Sequence, residues 1–124
     1  MLRECARVLR DGGRLASVVI EPAAGLGAAE LERARTLGPG NLTTSGRLAS
    51  HVEAVGLSVE TEEDWTRELA SLLRVLLEGL RLEEAALRAA EGDDVYEREV
   101  EKKASLLVGV EEGLLVRTFV LASR

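Results

Sequence analysis

The chain has 124 residues, of which 46% are hydrophobic and 31% charged, as expected for one folded domain rather than a disordered chain. A net charge of -6 and an aromatic content of 2% argue against a nucleic-acid partner, which would need cationic and stacking side chains. One cysteine and one histidine exclude an internal disulfide and a structural zinc site, so we expect a cytoplasmic protein without a metal. The sequence has no run of about 20 apolar residues, so we predict no membrane partner.

The first predicted element is an amphipathic helix that ends in a tight turn. Its apolar residues recur at i, i+3, i+4 and i+7 and are Leu2, Cys5, Ala6 and Leu9. Cys5 lies on this buried stripe, so we expect an inert thiol. Asp11, Gly12 and Gly13 then tolerate the left-handed backbone that a helix end needs to reverse direction.

A short apolar strand follows the turn. Leu15 to Ile20 has almost no polar alternation, which predicts a strand covered on both faces in a parallel sheet. Such a strand needs neighbours, because an uncovered edge is an aggregation hazard.

The middle of the chain predicts two helices and a strand. A weak helix over residues 26–37 stops at a Gly-Pro-Gly sequence, and the hydroxyls of residues 43–45 are offered as caps to a second helix over residues 48–55. Gly56 ends that helix. Residues 57–61 then alternate apolar and polar side chains, which indicates a strand at or near an edge.

A long helical region and a last strand complete the pattern. A broad leucine stripe predicts one helix from Thr66 to Ala90, and Asp93 or Asp94 is offered as the cap of a second helix that pairs antiparallel with the first. Leu114 to Ser123 is apolar on both faces, as in a strand inside a sheet.

Residues 2–15, LRECARVLRDGGRL, resemble a segment of the class I S-adenosylmethionine-dependent methyltransferases, commonly written L-x-E-x-x-R-V-L-(R/K)-P-G-G. The matching residues are Leu2, Glu4, Arg7, Val8, Leu9, Arg10, Gly12 and Gly13, and Asp11 replaces the usual proline. The later LASHVEAVGL is similar to the family's L-x-x-AGF ending. The order of elements agrees over essentially the whole chain.

The resemblance implies an α/β fold, namely part of a Rossmann-like sheet. Leu15 to Ile20 would be the family's fifth strand, Leu57 to Thr61 the sixth, and Leu114 to Ala122 the seventh, inserted antiparallel between the other two. We therefore predict one partial methyltransferase domain over residues 1–124 with a helical insertion at 66–108.

The family's cofactor-binding motifs do not occur in this sequence. The family binds S-adenosylmethionine with a GxGxG loop after its first strand and an acidic residue ending its second. Gly25 and Gly27 form a GxG pair without a third glycine or a downstream acid, and we interpret it as a connecting loop. The chain thus looks like a C-terminal half, from which we expect no cofactor binding by itself.

The resemblance and the sheet rule together place the candidate site. Ligands of open α/β sheets lie beyond the carboxyl ends of parallel strands, which makes Glu21 and Trp65 the substrate-cleft candidates. Glu21 would orient a nucleophile or act as a base, or else be a solvated strand end. Trp65 would form a pocket wall, or else simply pack. We interpret His51 as a partly buried structural histidine and the acidic residues 60–64 as solvated charge rather than a calcium loop.

Two functions follow from these observations. The first is the substrate-side part of a methyltransferase for a small molecule, inactive alone, with an N-terminal half or a second copy covering the edge at Leu15 to Ile20. The alternative is a non-catalytic module that uses the leucine-rich helices of residues 66–108 for dimerisation or ligand binding. No catalytic residue is assigned.

Overall fold

A computed structural model describes residues 1–42 and 46–124. In these ranges six helices and three strands follow one another as α1 Leu2–Val8, β1 Arg14–Pro22, α2 Ala28–Leu37, α3 Leu48–Ala54, β2 Ser58–Asp64, α4 Thr66–Leu82, α5 Glu84–Glu91, α6 Asp93–Glu111 and β3 Leu115–Ser123. The predicted α/β class is confirmed. The hydroxyls offered as caps to α3, at residues 43–45, lie outside the described residues.

The three strands form one sheet in the order β1-β3-β2, and β3 is antiparallel to both neighbours. Leu15 of β1 and Val59 of β2 both pair with Ala122 of β3. The strands β1 and β2 are consequently parallel to each other, and their carboxyl ends meet at one edge. This is the arrangement that the resemblance implied, with the last strand inserted between the other two.

Helices cover the two faces of the sheet unequally. On one face α1 and α3 enclose a core whose buried members are Leu48, Val52, Leu57, Val120 and Ala122. On the other face a smaller cluster around Leu115 packs against α2 and α6 and leaves Val18 of β1 39% exposed. The prediction that β1 is covered on both faces is therefore wrong for this chain. Among the described residues β1 pairs only with β3, so its other edge is open.

The region between β2 and β3 contains three helices instead of the predicted two. The first helix ends at Leu82, and α5 folds against α6, where Arg88 lies 4.5 Å from the ring centre of Tyr96 and pairs with Asp93. A straight helix to Ala90 would carry Arg88 away from these partners.

The predicted antiparallel pairing of α4 and α6 is confirmed. The Tyr96 hydroxyl at the start of α6 donates to the carbonyl of Leu80 near the end of α4, at 3.1 Å. The predicted cap is wrong, because Gly92 holds the N-cap position with a φ of 93° and Asp93 lies inside the first turn. The division into one partial domain with an insertion stays a prediction.

Candidate functional site

Two carboxylates end the two parallel strands. Glu21 of β1 pairs with Val116, and Asp64 of β2 pairs with Thr118, so both lie at the same edge of the sheet. This is the edge at which open α/β sheets place their ligands. The environments of the two carboxylates differ.

The Glu21 side chain is buried, with 3% of the residue exposed. Its Oε2 accepts a hydrogen bond of 2.9 Å from the backbone N–H of Leu48, the first residue of α3, and its Oε1 accepts one of 2.7 Å from the Thr118 hydroxyl. The carboxylate thus ties β1, β3 and α3 together. The interpretation of Glu21 as a solvated strand end is wrong.

A cleft of about 550 Å³ opens beside Glu21, between α1, β1 and α3. Its size lies within the range of about 300 to 1,000 Å³ that is usual for small-molecule sites. Its walls are mostly apolar, and its polar lining includes Ser17, Glu21, Asn41 and His51, with the exposed Arg3 at α1. An apolar cleft with a few polar groups suits a small organic ligand.

His51 lies on this cleft with an unused ring nitrogen. The residue is half-buried, and its Nε2 is buried without a hydrogen-bond partner among residues 1–42 and 46–124. A structural histidine normally has its buried nitrogens paired. Sequence reasoning placed His51 at the edge of an apolar face but gave no sign that one ring nitrogen would be buried without a partner.

A second cleft, of about 400 Å³, lies between Glu21 and the end of β2. Its cation, Arg47, is ion-paired with Glu62. At its far side Asp64 accepts hydrogen bonds from the Thr66 hydroxyl and, at 2.8 Å, from the Thr66 N–H at the start of α4. These bonds lower the pKa of Asp64 below its usual range. The described residues contain no group of three acidic, histidine or cysteine side chains suited to a metal.

Trp65 lies on the opposite face of the sheet from the larger cleft. Its ring stacks on Phe119 with 4.6 Å between ring centres, and its Nε1 donates to Glu63 at 2.7 Å. Phe119 pairs with Val18, whose side chain points away from the face of Val19 and Glu21 because side chains alternate along a strand. The structure therefore does not bring Glu21 and Trp65 together. Whether either residue contacts a substrate stays a prediction.

The glycines that suggested a nucleotide loop belong to the turn before α2. Gly25 has a φ of 78°, and the N–H of Gly27 donates to the carboxylate of Glu30 at 3.2 Å. An acidic side chain at this position disfavours an anionic phosphate. The structure agrees with a connecting loop.

In the ranges that the structure describes, we find no helix with both the length and the apolar character needed to cross a bilayer.

By sequence, the chain matches no family model and none of the curated proteins. Its structure matches solved methyltransferases. A putative sarcosine dimethylglycine methyltransferase from Galdieria sulphuraria superposes with a TM-score of 0.84 at 17% identity, over 98% of this chain and 45% of that one. A cyclopropane synthase from Mycobacterium tuberculosis gives 0.78 at 14% identity, over 99% and 48%.

A third match links the fold to a bound cofactor product. The phosphoethanolamine N-methyltransferase 2 from Haemonchus contortus, solved with phosphomonomethylethanolamine and S-adenosylhomocysteine, superposes with a TM-score of 0.79 at 15% identity, over 99% of this chain and 29% of that one. The chain thus has part of the fold of S-adenosylmethionine-dependent methyltransferases and spans less than half the length of these three.

Proposed function

We propose that this chain is the C-terminal, substrate-side part of an S-adenosylmethionine-dependent methyltransferase that acts on a small molecule. The observation that carries the proposal is the inserted strand β3, which places the ends of β1 and β2 around one edge of the sheet. A cleft of small-molecule size lies at that edge and is built from this chain's own residues.

The cofactor side is proposed to lie outside these 124 residues. The sequence has no GxGxG loop, and the glycines nearest to that pattern form a turn closed by Glu30. S-adenosylmethionine, when bound to the complete domain, supplies the methyl group. This chain alone is therefore proposed to bind no cofactor and to be inactive.

The open edge of β1 supports the proposal that a further segment pairs with this strand. Its outward N–H and C=O groups have no strand beside them in the described part of the chain, and exposed edges readily add a strand. We propose that an N-terminal methyltransferase half adds a parallel strand there. A second copy of this chain is the other occupant that the edge allows. A reducing, cytoplasmic location fits the free, half-buried Cys5.

This chain's contribution to the reaction is positioning. Methyl transfer needs the acceptor atom held in line with the methyl group, and orientation alone lowers the barrier by several kcal/mol, up to about 10. The cleft walls on α1, β1 and α3 would orient the acceptor and limit the access of water.

The test begins with the coding region immediately upstream of Met1. We expect it to encode a GxGxG segment in some frame. A longer chain that includes this segment should transfer labelled methyl groups from S-adenosylmethionine, whereas the 124-residue chain should not. A folded longer chain that binds no cofactor, or the lack of any such segment, would contradict the proposal.

A second candidate function is supported by the outer face of α4. Val75 is 68% exposed, Leu72 45% and Leu76 39%, so the helix presents a row of apolar side chains to solvent. Such a row is typical of an association surface. The solution mass of the chain separates the candidates: a dimer that Leu72→Glu and Leu76→Glu together dissociate would favour the non-catalytic module.

A further inference from the structure

The helix α1 forms one wall of the larger cleft but is weakly held by packing. This wall consists of Met1, Leu2 and Arg3, and no residue of the helix is buried. The helix has seven residues, whereas isolated helices shorter than about 12 to 15 residues are marginal in water. On its other side lies a further cleft of about 530 Å³, the rear cleft, which α1 lines together with Gly56 and Arg124. The position of the wall therefore depends on contacts other than core packing.

Arg124, which follows β3, holds the end of α1. Its Nη1 donates hydrogen bonds to the backbone carbonyls of Ala6, Arg7 and Leu9, at 2.7, 3.3 and 2.5 Å. A helix leaves its last carbonyls without an intrahelical partner, and its dipole favours a cation at this end. One guanidinium from a residue 115 to 118 positions away thus caps the helix.

The backbone of Arg124 is itself fixed by the turn between α1 and β1. Its N–H donates to the carbonyl of Gly13 at 3.0 Å, and its carbonyl accepts from the N–H of Gly12 at 3.2 Å. These bonds continue the pairing of β1 with β3, so the guanidinium reaches α1 from the sheet. Arg124 also lies 3.8 Å from the carboxylate of the fully exposed Asp11, a pair that water screens.

We propose that Arg124 is a positioning residue that sets the place of α1, and thereby the width of the larger cleft, from the far side of the helix. It lines the rear cleft, whereas the larger cleft lies on the opposite side of α1. Without the guanidinium, α1 is attached mainly through half-buried side chains, so it should open locally while the sheet stays folded. The inference rests on the proposed function, because it takes the larger cleft as the place of the substrate.

The first measurement is amide hydrogen exchange of the 124-residue chain, followed by NMR. The Leu9 N–H donates to the carbonyl of Cys5 at 3.2 Å, so it exchanges when α1 opens. We expect Arg124→Gln to speed this exchange about tenfold, because hydrogen bonds from a charged donor are lost. The exchange should not depend on low concentrations of urea, as is typical of a local opening that exposes little surface.

A second measurement reports on the larger cleft itself. His51 lines this cleft and is the only histidine, so its ring signals in an NMR spectrum need no assignment. We expect Arg124→Gln to shift these signals, since the opposite wall moves. Arg124→Lys keeps a cation at the helix end but lacks the planar guanidinium, so it should restore part of the parent behaviour in both measurements.

Two control variants separate positioning from other effects. Asp11→Asn removes the exposed ion pair and leaves the carbonyl bonds of Arg124 intact, so the exchange of Leu9 should not change. Tyr96→Phe removes the hydrogen bond to the Leu80 carbonyl between α4 and α6, far from α1 in the fold. It should lower the stability of the chain but leave both the exchange of Leu9 in the absence of urea and the signals of His51 unchanged.

Unchanged exchange at Leu9 or unchanged His51 signals in Arg124→Gln would overturn the inference, and so would an equal effect in Tyr96→Phe. These measurements need no cofactor and are independent of the methyl-transfer test. If the longer chain transfers methyl groups but Arg124→Gln leaves α1 in place, only the positioning role is wrong. If Arg124→Gln releases α1 but no cofactor segment exists, the proposed function fails and the cap on α1 remains.

Discussion

The ends of β1 and β2 carry carboxylates with the same kind of hydrogen bonds but in two different environments. At each end a carboxylate accepts a hydrogen bond from the first N–H of a helix and from a threonine hydroxyl, which is Thr118 for Glu21 and Thr66 for Asp64. Glu21 is buried beside a cleft, whereas Asp64 is exposed. Water reaches the carboxyl group of Asp64 but hardly reaches that of Glu21.

The difference separates a structural cap from a candidate site. The hydrogen bonds of Asp64 connect it only to Thr66, two residues away, so this carboxylate acts as a local cap at the start of α4. Glu21 joins residues far apart in the sequence and lies buried beside a mostly apolar cleft.

The largest effect should come from removing the buried carboxylate. Glu21→Ala leaves the Leu48 N–H and the Thr118 hydroxyl buried without an acceptor, so we expect the free energy of unfolding to fall by about 3 kcal/mol. In Asp64→Ala the N–H and hydroxyl of Thr66 lose their acceptor but can bond to water instead, so the free energy of unfolding should fall by only about 1 kcal/mol. Urea unfolding of both variants measures the contrast, and equal losses would refute it.

A smaller loss of stability is expected from changes at Thr118, whose hydroxyl donates a hydrogen bond to Glu21. Thr118→Val keeps the shape of the side chain and removes the donor to Oε1, which should cost about 1 to 1.5 kcal/mol of unfolding free energy. Thr118→Ser retains the hydroxyl and should lose less. A serine variant as unstable as the valine variant would show that packing, not the hydrogen bond, matters at this position.

The pH dependence of the free energy of unfolding should show the contribution of Asp64, the exposed carboxylate at the end of β2. The hydrogen bonds from Thr66 lower the pKa of Asp64, so the unfolded chain takes up this proton more readily than the folded one. The contribution of Asp64 is therefore present above the unfolded pKa of about 3.9 and is lost as the pH falls through the folded value.

Urea unfolding between about pH 5 and about pH 2, the range over which a carboxylate titrates, should show a smaller loss of unfolding free energy on acidification for Asp64→Asn than for the parent chain. Identical acid profiles for the two chains would mean that the Thr66 bonds add nothing to stability.

The smallest effect is expected at Trp65, whose fluorescence should not respond to changes on the opposite face of the sheet. This residue is the only tryptophan and stacks on Phe119 across the sheet from the cleft. Glu21→Gln, on the other face of the sheet, should leave its fluorescence unchanged, while Phe119→Leu should alter it. A fluorescence change in Glu21→Gln would show that the two faces are coupled and would contradict our account.

Most of the fold could be predicted from local sequence patterns. The i, i+3, i+4 spacing of α1, the glycine turn at Gly12 with its φ of 78°, and the apolar runs of β1 and β3 are all readable from neighbouring residues. The insertion of β3 between β1 and β2 came only from the resemblance, since strand order depends on contacts between residues about 100 positions apart.

The candidate site was only half visible in the sequence. Glu21 was identified from its place at the end of a strand, but its burial depends on α3 packing over it, which no local pattern shows. The unpaired Nε2 of His51 likewise depends on which residues the fold packs around the ring. Trp65 was grouped with Glu21 because both lie at the same edge, and the alternation of side chains then put them on opposite faces.

The most direct test of the central claim is a calorimetric titration of the folded 124-residue chain with S-adenosylhomocysteine. Our account predicts no heat of binding, because the chain provides the substrate side of the fold and the cofactor segment lies elsewhere. Saturable binding at micromolar concentrations would contradict it and would show that these residues form a cofactor site of their own.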